Sequence, residues 1–414
     1  MRVLHGLLPI ALFGVLACVG CSRQSGPPAP LPPRVEAGPA PPSVVKGNTA
    51  FALDLYARLR GEAGNLFISP VSISTALGMT YAGARGETAK QMVEVLHLPQ
   101  DQAKAHEAFE ALLGHLMQYK GENGPRVSIA NALWGQRDYG FLKDFLKTVR
   151  ERYGASFSEV DFVKSEEARK IINEWIAENT QDKIKDLIPE GVLDAITRLV
   201  LTNAIYFNGD WASPFKQRST HTARFQVSPD EKVRVPMMFQ TGHFGYAQLD
   251  GIQVLEMKYK GGELSMVILL PEKVDGLPAL EKDLTPGELE KWLAALTRTE
   301  VMVYVPKFET TAQFELNKVL ADMGMPSAFR LGEADFSGMT TKEELFISNV
   351  IHKAWVRVDE KGTEAAAATA VVVPASEDTR ELLTFRADHP FLFLIRDRKT
   401  GSILFLGRVA NPKG

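Results

Sequence analysis

Four polar side chains, Ser69, Ser72, Asn203 and His352, stand inside runs that are otherwise apolar or strand-like. A serine and a histidine are the core of a hydrolytic site, in which the imidazole takes the hydroxyl proton while the oxygen attacks a carbonyl. Such a site also needs an orienting acid. The chain has no G-x-S-x-G elbow, no H-E-x-x-H helix, no P-loop and no G-x-G-x-x-G. His106-Glu107 lacks the second histidine four residues on. A triad can be assembled from residues distant in sequence, so missing motifs argue against catalysis without deciding it. The plainer reading is that the four polar groups are hydrogen-bonded within a core. No catalytic residue, metal or cofactor is expected.

Chemistry of another kind, a change of state, is written in Asp359-Glu360-Lys361-Gly362-Thr363-Glu364-Ala365-Ala366-Ala367-Ala368-Thr369. Alanine is the best helix former, yet Val371-Val372-Val373-Pro374 follows, which favours strand and forbids helix. With period two, one face carries Thr363, Ala365, Ala367, Thr369, Val371 and Val373, all small or β-branched and none charged. That face can enter a sheet without burying a charge. Glu364, Ala366, Ala368, Ala370 and Val372 line the other, and Gly362 supplies the backbone freedom of a hinge. An exposed Ala-rich linker is the plain alternative.

These residues belong to a 414-residue chain with 45% hydrophobic and 23% charged residues, enough for a large core. Its net charge of −3 gives no electrostatic case for nucleic acid. Residues 1–20 read as a secretory signal: Arg2, then an apolar run from Leu7 to Val19 too short for a confident spanning helix. Both cysteines lie at its end, where Leu16-Ala17-Cys18-Val19-Gly20-Cys21 resembles a bacterial lipobox. Cys21 after Gly20 is the expected lipidated residue, with Cys18 as its rival. Residues 21–46 read as a Pro-rich tether, with eight prolines between Ser22 and Pro42, and the folded domain as residues 47–414. An extracytoplasmic protein is expected, secreted or anchored to the membrane only through that lipid.

Within the domain, helical spacing is expected from Ala50 to Leu59, from Ser69-Pro70 to Tyr81, and from Lys164 to Leu187 with Ser165 as N-cap. Strand signals mark Leu199–Phe207, Leu264–Leu270, Val301–Val305, Phe391–Ile395 and Ser402–Val409, the last two forming a hairpin around Lys399-Thr400-Gly401. Helices cluster early and strands late, so an α+β class is expected.

The residues from about Ala50 to Pro412 resemble the serpin family. The pieces that carry the resemblance are Asn65-Leu66-Phe67-Ile68-Ser69-Pro70-Val71-Ser72, then Leu201-Thr202-Asn203-Ala204-Ile205-Tyr206-Phe207-Asn208-Gly209-Asp210-Trp211 with Pro214-Phe215, then Ile351-His352-Lys353-Ala354. The hinge from Glu360 to Thr369, Asp388-His389-Pro390-Phe391-Leu392-Phe393-Leu394-Ile395 and Gly407-Arg408-Val409-Ala410-Asn411-Pro412 complete it. The resemblance implies three β-sheets, eight or nine helices and an exposed reactive loop between the hinge and the strand at Phe391. It implies that Ser69, Ser72, Asn203 and His352 meet under the centre of the main sheet where its strands separate, with Trp211 near the top. It implies a monomeric inhibitor that traps a serine protease by inserting its cleaved loop; a non-inhibitory binder or chaperone of the same fold is the alternative.

By the same resemblance the attacked bond lies roughly 14 residues after the hinge glycine, a length set by the inserted strand. Counting from Gly362 gives Ser376-Glu377, while counting back from Pro390 lands about three residues later, near Thr379; Arg380-Glu381 is the alternative bond. Val373-Pro374-Ala375-Ser376 suits an elastase-like or subtilisin-like enzyme; Arg380 would suit a trypsin-like one.

Overall fold

The computed structural model describes residues 41–121, 124–342, 345–363 and 382–414. Among them the chain forms nine α-helices: α1 (Pro42–Leu59), α2 (Pro70–Tyr81), α3 (Gly86–Leu96), α4 (Gln102–Leu116), α5 (Lys143–Tyr153), α6 (Ser165–Asn179), α7 (Leu277–Asp283), α8 (Pro286–Ala294) and α9 (Asn317–Met323). The strands are β1 (Leu66–Ile68), β2 (Arg126–Gln136), β3 (Ser156–Val160), β4 (Leu199–Asp210), β5 (His221–Gln226), β6 (Lys232–Leu249), β7 (Ile252–Lys258) and β8 (Leu264–Pro271). They continue with β9 (Thr297–Pro306), β10 (Phe308–Glu315), β11 (Asn349–Val358), β12 (Gly362–Thr363), β13 (Leu383–Arg386), β14 (Phe391–Asp397) and β15 (Ile403–Val409). No helix among the described residues is long and apolar enough to cross a membrane.

Six strands form one sheet in the order β10-β11-β12-β4-β2-β3. The near-continuous apolar run of β4 places it centrally, since only a strand covered on both faces can bury every side chain from Leu199 to Phe207. The remaining strands form a nine-stranded network, β1-β15-β14-β8-β7-β6-β9-β13 with β5 against β6. Three sheets are expected from the sequence; hydrogen bonding joins two of them because β6 is 18 residues long and changes partners along its length. It pairs with β5 through Lys232–Met237, with β9 through Met237–Tyr246 and with β7 through Gly245–Leu249. Helix α2 is buried at all twelve positions and contacts both β4 and β15, so the central layer of the molecule is a helix between two sheets.

Several element boundaries differ from the sequence reading. Helix α1 starts at Pro42, inside the stretch read as tether, because Pro41 is extended, Pro42 fits the first helical position, and Val44 and Val45 bury against the core. Helix α6 stops at Asn179 rather than running to Leu187. The Thr180 hydroxyl donates to the Ile176 carbonyl at 2.8 Å, and Gln181 and Asp182 take positive φ, which turns the chain back while Ile184 and Leu187 still reach the core. Ser165 is the first helical residue of α6, not its cap. Ser69 occupies the N-cap position of α2 without capping it; its hydroxyl is used elsewhere.

Candidate functional site

Three strands bring one polar row together. Asn131 of β2 faces Asn203 of β4, which faces His352 of β11. The Asn203 amide donates to the Ser72 hydroxyl and to Asn131 Oδ1, both at 2.6 Å, and Asn203 Oδ1 accepts from His352 Nδ1 at 2.5 Å. Ser72, in the first turn of α2, donates its hydroxyl to Asn131 Oδ1 at 2.9 Å, and Asn131 Nδ2 donates to the Ser72 carbonyl at 3.1 Å. His352 Nε2 accepts the Ser69 backbone N–H at 3.1 Å, and the Ser69 hydroxyl donates to the Leu404 carbonyl of β15 at 2.7 Å. Ser69, Ser72, Asn203 and His352 are fully buried, so every donor here needs its partner.

The geometry of this cluster is not that of a hydrolase. The one lone pair of the imidazole is held by a backbone amide, both hydroxyl protons point away from it, and no carboxylate orients the ring. Burial pushes His352 down to about 3, only partly offset by its bond to Asn203, so it stays neutral at physiological pH. The cluster ties α2 and β15 to the middle of the six-stranded sheet.

At that level the sheet has a seam. β4 and β11 are parallel neighbours from Asn349↔Val200 to Ala354↔Ile205. Toward their C-terminal ends they part, and β12 lies between them, antiparallel to both: Thr363 faces Val358 on one side and Gly209 on the other, and Gly362 faces Asp210. A Cβ at Gly362 would stand 2.0 Å from the Gly209 carbonyl oxygen and 2.8 Å from Asp210 Cα, so glycine is required there by close backbone approach. Thr363 is fully buried and shares a 2.8 Å hydrogen bond with the Tyr259 hydroxyl.

The turn that leads into β12 is tight and well anchored. Asp359 N–H donates to the Gly362 carbonyl, and Lys361 N–H to Asp359 Oδ1, both at 2.9 Å. Trp211 donates its backbone N–H to the Lys361 carbonyl at 2.8 Å and its indole N–H to the Asp359 carbonyl at 3.0 Å, while its ring stacks on Tyr259 at 4.6 Å. Glu360 receives Lys307 Nζ and the Thr220 hydroxyl, each at 2.8 Å, and its own carbonyl receives Phe215 N–H. Burial alone would raise the Glu360 carboxyl; the bonds from Lys307, its own amide and Thr220 outweigh it and hold the carboxyl below its usual range.

Thus Ser69, Ser72, Asn203 and His352 come together at the closed part of the seam, and Trp211, Glu360, Gly362 and Thr363 at its open end. The hinge residues Glu364, Ala365, Ala366, Ala367, Ala368 and Thr369, both candidate bonds (Ser376-Glu377 and Arg380-Glu381), Cys18 and Cys21 lie outside the described residues. Sequence reasoning missed Asn131, Tyr259, Thr220 and Lys307. Asn131 sits in a strand broken by Ser128, Gly135 and Gln136, and its buried polar position among Ile129, Ala130, Ala132 and Leu133 was the available signal.

The fold and this seam place the start of a strand, β12, between β4 and β11 at the top of the six-stranded sheet. The chain belongs to the serpin family: the family model described as "Serpin (serine protease inhibitor)" matches residues 46–412. An uncharacterised serpin-like protein of Thermococcus kodakarensis is 44% identical over 373 residues, 89% of this chain and 86% of its own length. Human leukocyte elastase inhibitor is 42% identical over 376 residues, covering 88% and 98%. The crystal structure of human thyroxine-binding globulin matches with a TM-score of 0.82 at 34% identity, covering 90% of this chain and 99% of that one.

Proposed function

We propose that this serpin inhibits a serine protease by offering residues 364–381 as substrate and completing β12 as a full strand before the acyl-enzyme is hydrolysed. The observation that carries the reading is the place of Gly362 and Thr363, already the first two residues of a strand antiparallel to both β4 and β11. A relative named for thyroxine binding shows that the family's fold does not by itself mean inhibition. The small, uncharged face of Thr363, Ala365, Ala367 and Thr369 favours inhibition, since each would enter the sheet without burying a charge.

Insertion replaces one ladder, between β4 and β11, by two. A strand of roughly 15 residues gaining about 1 kcal/mol per added hydrogen bond, with side-chain burial, releases on the order of 15 kcal/mol. The uninserted fold is therefore held kinetically. Drawing the hinge into the sheet pulls on the acylated protease, and displacing its oxyanion hole by about 1 Å slows deacylation on the order of a hundredfold.

Ser376-Glu377 is the proposed attacked bond, with Arg380-Glu381 as the alternative, and the small residues before Ser376 favour an elastase-like or subtilisin-like enzyme over a trypsin-like one. The human relative named as an inhibitor of leukocyte elastase supports that preference. The N-terminal sequence supports an extracytoplasmic site of action, with Cys21 lipidated or the domain secreted.

The test is to mix the purified domain with elastase-like, subtilisin-like and trypsin-like proteases and look for a complex stable on denaturing gels. Mass spectrometry of the released C-terminal peptide then fixes the bond. Thr363→Arg should abolish the complex while the loop is still cut, because a buried unpaired charge costs several kcal/mol and slows insertion. Unchanged trapping by that variant would contradict the insertion mechanism.

A further inference from the structure

One face of the nine-stranded sheet sets an acid and a base on either side of a glycine. Arg298 of β9 faces Gly245 of β6, and Gly245 faces Glu256 of β7. His243 and Lys258 stand two residues along their strands from Gly245 and Glu256, so they share the same face. Because Gly245 carries no side chain, the row is open at its centre. A cavity of about 250 Å³ lies there, walled by Trp211, Phe244, Met257 and Leu296 and rimmed by His243, Lys258, Arg298 and Arg398. Glu300, opposite His243 in the ladder, does not line it.

The Glu256 carboxylate, whose side chain is only 6% exposed, is the one acid of the lining. Its Oε1 accepts from the Ser265 hydroxyl at 2.9 Å and from Arg396 Nη2 and Arg398 Nε, each at 3.2 Å. Its Oε2 has no hydrogen-bond partner among the described residues, and a Cβ on Gly245 would lie 3.4 Å from it, so this oxygen faces the open centre of the row. A buried carboxylate oxygen calls for a donor. Lys258, Arg298 and His243 have no ion pair or side-chain hydrogen bond among the described residues, and they call for an acid.

A plain anion would meet Glu256 at the floor, and no group of three metal-ligating side chains occurs among the described residues. A molecule with an ammonium and a carboxylate one carbon apart answers both demands. Its N–H groups reach Glu256 Oε2, while its carboxylate takes the guanidinium of Arg298 and the ammonium of Lys258. The rings of Trp211 and Phe244, with Met257 and Leu296, then receive an apolar side chain.

We propose that this cavity binds a free α-amino acid with an apolar side chain. The site stands independently of the inhibitory reading above. Its wall also carries the hinge: Trp211 holds the Lys361 and Asp359 carbonyls, and Ala212 donates its N–H to the Lys258 carbonyl at 2.9 Å. An occupant that fixes Lys258 and the Trp211 ring steadies the turn that leads into β12.

The experiment titrates the purified protein with leucine and phenylalanine by calorimetry, each beside its N-acetyl form, which lacks the ammonium, and its amide, which lacks the carboxylate. The free amino acids should bind saturably and each blocked form at least about tenfold more weakly, since each loses a hydrogen bond to a charged group. Hydrogen exchange at residues 359–363 should slow severalfold at saturation. Arg298→Gln should weaken binding about tenfold and leave the thermal midpoint within about 1 °C of wild type, as an exposed substitution does. Glu256→Gln probes the other pole; if that variant does not fold, the N-acetyl forms test the same contact in wild type. No saturable binding of a free amino acid would overturn the proposal, as would equal binding of a blocked form or unweakened binding by Arg298→Gln. Binding that left exchange at residues 359–363 unchanged would overturn the link to the hinge.

Discussion

Below Ala354 and Ile205 the strands β4 and β11 are direct neighbours, locked by Asn131, Ser72, Asn203 and His352, every one hydrogen-bonded and none more than 5% exposed. Above them the same strands are separated by two residues of β12, held by one hydroxyl pair, the Trp211 contacts and an ion pair whose lysine is 38% exposed. The lower part resists separation because each broken bond strands a buried polar group. The upper part can loosen by degrees, since Lys307 and the hinge turn can exchange their bonds for water. In the proposed insertion, a seam built this way would open from the top, in the direction the incoming strand would travel.

The largest effect expected is that of Asn203→Ala. It strands the His352 Nδ1 proton and removes donors from Ser72 and Asn131, for a loss of about 3–5 kcal/mol and a fall in thermal midpoint of roughly 5–10 °C. A midpoint within 1 °C of wild type would mean that the network does not hold the lower seam shut.

Acid should weaken the same region. His352 is held at about 3 in the fold against about 6.5 when unfolded, so the unfolded chain binds the extra proton and stability falls as pH drops below 6.5. The loss from this residue is on the order of 2–3 kcal/mol by pH 4.5. His106, lowered to about 4 by burial and by Arg152 and Arg85, adds a similar slope from the helical layer. His352→Gln should therefore remove about half of the histidine contribution to the acid slope in thermal midpoint measured from pH 7 to 4.5. An unaltered slope would show that His352 is protonated or solvated in the fold.

The lower seam was the more legible of the two in the sequence. Ser69, Ser72, Asn203 and His352 stand out because each interrupts an apolar run, and an isolated polar residue in such a run must find partners. Asn131 was not found because Arg126, Ser128 and Gln136 in the same strand weaken the contrast that Ile129, Ala130, Ala132 and Leu133 give it. The upper seam depends on residues far apart in the chain, Thr220, Tyr259 and Lys307, none unusual where it stands: an aromatic residue just after a strand reads as core, and a lysine at a strand end reads as surface. Trp211 was visible only beside the family's pattern, whereas Gly362 was legible by itself as the flexible start of the Ala-rich stretch. The over-long reading of α6 has a similar cause, since Ile184 and Leu187 keep the apolar spacing of a helix after the backbone has turned at Gln181.

A smaller and local effect is expected for Gly362→Ala. The new methyl carbon meets backbone atoms, the Gly209 carbonyl oxygen among them, which cannot rotate away. Overpacking of this kind costs about 1–3 kcal/mol, enough to push β12 out while β4 and β11 stay paired below. Hydrogen exchange at residues 358–363 should quicken by at least tenfold with little change over Asn349–Ala354. Exchange that quickened equally in both stretches would mean that the seam opens as one unit.

The smallest effect, and the sharpest test of the distinction, is that of Lys307→Met. Because Lys307 is more than a third exposed, its pair with Glu360 contributes only about 0–1 kcal/mol to the whole fold. Glu360 itself is 7% exposed, and without the lysine it keeps only Thr220 and its own amide against the cost of burial. Its carboxyl should rise, and since a depressed carboxyl stabilises above its unfolded value of about 4.5 and loses that contribution as pH falls, the variant should be less dependent on pH between 5 and 3. At pH 7 the thermal midpoint should move by no more than about 1 °C, while hydrogen exchange around residue 360 quickens severalfold. A fall in midpoint as large as that of Asn203→Ala would place the ion pair among the groups that hold the whole sheet shut, and the two parts of the seam would then have to open together.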